Sequence, residues 1–181
     1  MANALQGRRV AILAADGVEQ VELEKPRQAV LDEGATVELV SLDTGEIQAM
    51  NGDIDKGDRF AVDRKVADVR IGDFDALLLP GGTMNPDNLR TDPAAVKFVG
   101  DFVRAGKPVG VICHGPWTLV EADVVRGRTL TSYPSIRTDI RNAGGTVVDE
   151  EVVVDNGLVS SRNPDDLPAF CRTVVREFAG Q

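Results

Sequence analysis

The sequence predicts an α/β fold: a doubly wound, mostly parallel sheet flanked by helices, flavodoxin-like in kind. Three observations predict it. Short apolar runs alternate along the chain with segments of helical period. The runs at ALLLP and VGVI are apolar at every position, as strands buried on both faces must be. Most of these runs end in glycine or polar turns before the next helical stretch. At 181 residues the chain is long enough for one well-buried domain and short for two, so 1–181 is read as a single domain.

Taken in order, Arg9 to Ala14 form the first strand, ending at Asp16-Gly17. A helix is expected from about Glu19 or Val21 to Glu33, stopped by Gly34, with Pro26 kinking or delaying its start. Thr36 to Ser41 read as the second strand. Residues 43–70 are charged and glycine-bearing, suited to small hairpins or irregular structure. DALLLPGG is a buried strand running into a glycine turn. Asp92 caps a helix with Pro93 at its first position, and Val96, Val99 and Val103 are expected on its inner face. Gly106 ends that helix, and Val109 to Ile112 give the next buried strand. A helix of about two turns from His114 to Ala122 follows, and Thr129 to Thr131 are expected to continue the sheet. Ser135 to Ala143 suggest another helix, stopped by Gly144-Gly145. The late strands of TVVDEEVVVDNGLVSS turn at Asn-Gly, and a final helix buries Leu167, Phe170, Cys171, Val174 and Phe178 on one face.

Composition narrows the function. A net charge of -9 leaves no basic stripe, so no nucleic-acid partner is expected. No apolar stretch approaches the roughly 20 residues that span a bilayer. The start, MANALQGRRVAIL, leads directly into a strand without a cleavage pattern, and a cytoplasmic location is expected. Two cysteines and one histidine are too few for a structural zinc site, so no metal is expected. A disulfide between Cys113 and Cys171 is disfavoured in that compartment.

The chemistry concentrates at KPVGVICHGP. Cys113 follows a buried strand, at the carboxyl edge where parallel sheets bind ligands. Backbone N–H groups and a helix start at that turn favour thiolate over thiol. His114 is adjacent, but neighbouring residues on a regular strand or helix do not face each other, so a Cys–His pair requires unusual turn geometry. Gly81 and Gly82 end a neighbouring strand, where bare N–H groups, with that of His114, could hold an oxyanion. Glu19, in DGVEQVEL, is placed at the same edge as the acid for the sulfur. Trp117 either walls the pocket or packs into the core, and Tyr133 and Arg162 follow later strands toward the same edge.

These pieces together, DGVEQVEL, FDALLLPGG, GKPVGVICHGP, GRTLTSY, NAGG and VVVDNGLVSSR, resemble the PfpI-type intracellular protease family. That family is part of the parkinsonism-associated deglycase superfamily, within the class I glutamine-amidotransferase-like fold. The resemblance implies Cys113 as nucleophile, His114 beside it and Glu19 as the acid near the sulfur. It also implies an acidic residue reaching the site from a neighbouring subunit, and that position holds Asp87. Aspartate is one methylene shorter than the family's glutamate, which favours chemistry needing only Cys113, Glu19 and His114.

A cofactor-free stress-response enzyme is therefore expected, forming a Cys113 adduct with methylglyoxal-type carbonyls or early glycation adducts. A homodimer or larger homo-oligomer is expected with it. The alternatives are a cysteine peptidase using Cys113, His114 and a partner's Asp87, and a redox sensor or chaperone in which Cys113 oxidises. An amidotransferase is set aside because no histidine lies downstream to serve as base.

Overall fold

A computed structural model describes residues 3–180. In chain order the elements begin with β1 (Arg9–Leu13), β2 (Val18–Glu19), α1 (Gln20–Asp32), β3 (Thr36–Ser41), β4 (Glu46–Asn51), β5 (Asp55–Ala61) and β6 (Arg64–Lys65). The middle of the chain gives β7 (Ala76–Leu79), α2 (Met84–Leu89), α3 (Pro93–Arg104), β8 (Val109–Ile112) and α4 (Pro116–Glu121). The remainder gives β9 (Thr129–Leu130), α5 (Arg137–Asn142), β10 (Thr146–Val147), β11 (Val152–Asp155), β12 (Leu158–Ser161) and α6 (Leu167–Phe178).

The main sheet runs β11-β12-β8-β7-β1-β3-β6, parallel except for the β11–β12 hairpin. Its apolar strands divide their side chains between two cores. Val10, Ile12, Ala76 and Leu78 pack with Leu23, Val30, Phe170 and Val174 of α1 and α6. Ala11, Leu13, Leu77 and Leu79 pack on the other side with Phe98, Phe102, Leu119 and Ile140 of α3, α4 and α5. Helices thus cover both faces, which is why these strands read as continuous apolar runs. No helix among the described residues is long and apolar enough to cross a membrane.

Several local expectations change. The stretch near Thr129 leaves the main sheet: β9 pairs with β10 in a separate two-stranded ribbon. The buried face of α3 is centred on Ala95, Phe98, Val99, Phe102 and Val103, and Val96 lies at its margin. The Asp92 carboxylate does cap this helix, accepting the Ala95 N–H at 2.9 Å. α1 starts at Gln20 without delay and continues through Pro26, whose ring is buried on the face that also holds Leu23 and Val30. The helix after the cysteine starts only at Pro116, leaving Cys113 and His114 in the turn before it. Residues 46–61 form a β4–β5 hairpin, and β2 adds to its β4 edge.

Candidate active site

Cys113 stands at the end of β8 with φ of 64°, in the left-handed region. For a residue with a Cβ this conformation costs about 1–2 kcal/mol. Neighbouring segments hold it there. The Cys113 N–H donates to the Ser161 carbonyl at 3.1 Å, and its own carbonyl accepts the Tyr133 N–H at 2.9 Å. Gly115 follows without a side chain because a Cβ would stand 2.8 Å from the Leu79 carbonyl oxygen. This reversal solves the problem of adjacent residues facing apart. It brings His114 Nδ1 to 3.1 Å from Cys113 Sγ.

Three contacts orient the imidazole. Its Nε2 lies 3.1 Å from Ser135 Oγ, Tyr133 stacks on it with ring centroids 4.4 Å apart, and the Trp117 ring tilts beside it at 5.5 Å. Trp117 itself packs against the core, and its Nε1–H donates to Asp139 at 2.7 Å. Trp117 therefore both packs and walls the histidine. Burial holds His114 below its ordinary 6.5, with the Asp53 carboxylate pulling it partly back. A neutral ring at pH 7 can accept a proton at Nδ1 while its Nε2–H donates to Ser135.

The acid at the sulfur is Glu22, and Glu19 is displaced from that role. The Glu19 carboxylate instead accepts the Gly52 N–H, at 3.2 and 3.0 Å through its two oxygens. Glu22 lies one helical turn further along α1, is 1% exposed, and accepts the Gly81 N–H through Oε2 at 2.8 Å. It lies against the cysteine across Gly81: a Cβ built there would stand 2.6 Å from both Glu22 Oε2 and Cys113 Cβ. Burial pushes Glu22 up to about 8, opposed by Gly81 and Cys113 and assisted by the charges of Glu19 and Asp53. Its other oxygen, Oε1, is buried and finds no nitrogen or oxygen partner among the described residues. A carboxylate would be costly there, whereas a carboxylic acid can turn its O–H toward the sulfur. The signal for Glu22 is present in the sequence. It falls with Pro26 and Val30 at i, i+4 and i+8, so a charged residue sits on the buried stripe.

The glycine pair also divides its work. The Gly81 N–H is occupied by Glu22, so it is not free to hold an oxyanion. A Cβ at Gly81 would stand 2.6 Å from both Cys113 Cβ and Glu22 Oε2, so only glycine fits between acid and nucleophile. The backbone at Gly82 and His114 favours the charged form of the sulfur, against its burial. Asn85, fully buried, fastens this turn: its Nδ2 donates to the Pro80 and Gly81 carbonyls at 3.0 Å, and its Oδ1 accepts the Ala15 N–H at 2.7 Å. Asn85 and Ser135 were not among the residues singled out in the sequence.

Burial, and next the Glu22 charge, push the Cys113 thiol up, and the Gly82 and His114 N–H groups pull it down. Glu22 and Cys113 therefore form one coupled acid pair. A protonated Glu22 removes the repulsion and becomes a donor to a thiolate. Asp87 lies exposed on α2, and within this chain it stands apart from the His114 contacts just described. Arg162 is committed to Asp149 and Asp166, and Cys171 is a partly buried free thiol on α6. Among the described residues no group of three or more His, Cys, Asp or Glu side chains could hold a metal.

Residues 8–177 match the DJ-1/PfpI family. Over 171 residues the chain is 43% identical to protein/nucleic acid deglycase 2 of Escherichia coli, covering 93% of this chain and 96% of that one. It is 41% identical over 166 residues to a Bacillus subtilis protein named "Putative cysteine protease YraA", covering 91% and 95% respectively. Among solved structures, a two-domain Anabaena variabilis protein with DJ-1/ThiJ/PfpI-like and ferritin-like domains matches with a TM-score of 0.88 and 33% identity. That match covers 93% of this chain and 47% of the other.

Proposed function

This chain belongs to the DJ-1/PfpI family, and from that premise we propose that it is a cofactor-free enzyme acting on reactive carbonyls through a Cys113 adduct. The observation that carries this reading is the buried Glu22 carboxyl set against a strained cysteine whose sulfur also meets His114 Nδ1. Such a pair supplies a nucleophile together with a proton for the oxygen it creates. The sulfur's electron pair forms a C–S bond at an aldehyde carbon. The carbonyl π pair moves onto oxygen, which takes a proton from Glu22, while the thiol proton passes by way of His114 Nδ1 to restore the Glu22 acid. We assign the stabilisation of the developing negative charge to the N–H groups of Gly82 and His114, whose influence already favours the charged form of the sulfur.

With a glyoxal, the C1 proton then passes to C2 and the C1 hydroxyl proton passes to the C2 oxygen, with His114 as the shuttle. The product is a thioester, and water cleaves its C–S bond to give a hydroxy acid and the restored thiol. With a glycated amine or guanidine, the sulfur forms its C–S bond at the carbinol carbon as the C–N bond breaks, the nitrogen group leaves with a proton from Glu22, and the hemithioacetal so formed follows the glyoxal course. The deglycase name of the Escherichia coli relative supports this choice of substrate class. A peptidase would need the exposed Asp87 of a second subunit, and His114 Nε2 is already engaged by Ser135.

The test is methylglyoxal supplied without any added thiol. Lactate should form, and Cys113→Ala should lower its formation by at least a hundredfold. Equal turnover by the variant would remove the proposal.

A further inference from the structure

The turn of the β4–β5 hairpin reaches the nucleophile from outside the main sheet. Gly52 and Asp53 both have positive φ, 63° and 62°, the pair of left-handed residues that a type I′ turn requires. Glycine adopts this freely, whereas Asp53 does so at a cost, and two hydrogen bonds hold it. Its Oδ1 accepts the Thr83 N–H at 2.8 Å and its Oδ2 accepts the Thr83 hydroxyl at 2.7 Å. Thr83 directly follows the Gly81-Gly82 turn, which packs against the nucleophile: a Cβ at Gly81 would stand 2.6 Å from Cys113 Cβ and 3.0 Å from the His114 nitrogen. On the other flank the Gly52 N–H is tied to Glu19, one turn before Glu22. The turn is thus pinned to both segments that furnish the site, with an exposed carboxylate at its tip. The charge of that carboxylate is felt by both Glu22 and His114. On the β12 side, Arg137 and Arg162 are engaged by Asp149 and Asp166, so their charge does not offset it.

We infer that Asp53 is a specificity-determining residue that turns anionic reactants away from Cys113, so that the site takes uncharged α-oxoaldehydes and their adducts in preference to carboxylate-bearing aldehydes. The substrate half of this statement rests on the carbonyl chemistry proposed above. The charge gate is independent of it.

The test uses probes that need no turnover. Iodoacetamide and iodoacetate alkylate the same sulfur but differ by one negative charge. In a Cys171→Ser background, their rates at Cys113 are compared with and without Asp53→Asn. Asparagine keeps the left-handed turn and an acceptor for the Thr83 N–H, and removes the charge. The iodoacetamide-to-iodoacetate rate ratio should fall about three- to tenfold in the variant, the effect of one nearby charge at an intermediate dielectric. Molar salt should bring the ratio of the parent toward that of the variant. An unchanged ratio, or both rates moving equally, overturns the inference.

The same variants are then assayed with phenylglyoxal and 4-carboxyphenylglyoxal, which carry the same α-oxoaldehyde and differ by one carboxylate. A relative gain for 4-carboxyphenylglyoxal in Asp53→Asn supports the substrate half, and no gain overturns it. A shifted alkylation ratio with no turnover of either aldehyde would overturn the carbonyl enzyme and leave the gate standing.

Discussion

Replacing Glu22 by glutamine tests the protonated acid at the centre of this site. Glutamine has nearly the same shape, can still accept the Gly81 N–H, and can still donate to the sulfur, but it does not titrate. In the parent, Glu22 is held near 8 against an ordinary 4.5. Between these values the folded state keeps a proton that the unfolded chain has released. Stability therefore falls as pH rises through this window, and the fall ends above about 8. From pH 5 to pH 8 the loss from this one group is about 3–4 kcal/mol. That is a large share of the roughly 5–15 kcal/mol by which domains of this kind are stable. Urea unfolding of parent and Glu22→Gln at pH 5 and pH 8 measures it directly. The parent should lose about 3–4 kcal/mol more than the variant between the two conditions. Equal pH dependence in the two proteins would show that Glu22 ionises normally, and the proton donor of the proposed mechanism would be lost.

Two further substitutions probe the geometry around the sulfur. Gly81→Ala places a methyl 2.6 Å from Cys113 Cβ and from Glu22 Oε2. It should destabilise the fold by about 1–3 kcal/mol and slow iodoacetamide labelling of Cys113, read by urea melts and mass spectrometry. Ser135→Ala removes the partner of His114 Nε2. It should lower kcat for methylglyoxal about fivefold, with KM little changed, because one hydrogen bond of about 1 kcal/mol orients the base.

Legibility in the sequence tracks how local each determinant is. β8 runs from Val109 to Ile112 as its apolar pattern predicts, because burial on both faces leaves no alternative residue type, and β3 from Thr36 to Ser41 is buried only over its second half, where Leu39 and Val40 carry the signal. Asp92-Pro93 marks a helix start because cap and first turn are consecutive in sequence. The neighbourhood of Thr129 is harder to place: only Thr129 and Leu130 pair with β10, and nothing local distinguishes that ribbon from the main sheet. In the site, Cys113 and His114 were legible as a pair, but their facing depends on a left-handed φ that no residue type announces. The misplacement of the acid has a simple physical origin. Glu19 and Glu22 are only three residues apart, about one helical turn, and only the Pro26 and Val30 stripe reveals which carboxyl points inward. Ser135, Asn85 and Asp53 are ordinary polar residues whose roles arise from contacts with segments distant in the chain or, for Asn85, from the shape of the turn it closes.

The clasp on the backbone of Cys113 sets an order of events. Its N–H is taken by Ser161 and its carbonyl by Tyr133, both from the last third of the chain. A ribosome-bound fragment ending before those residues therefore carries an ordinary thiol, without the bend that aims it at His114. The protein arms its sulfur last, when the rest of the domain is already in place to govern what reaches it.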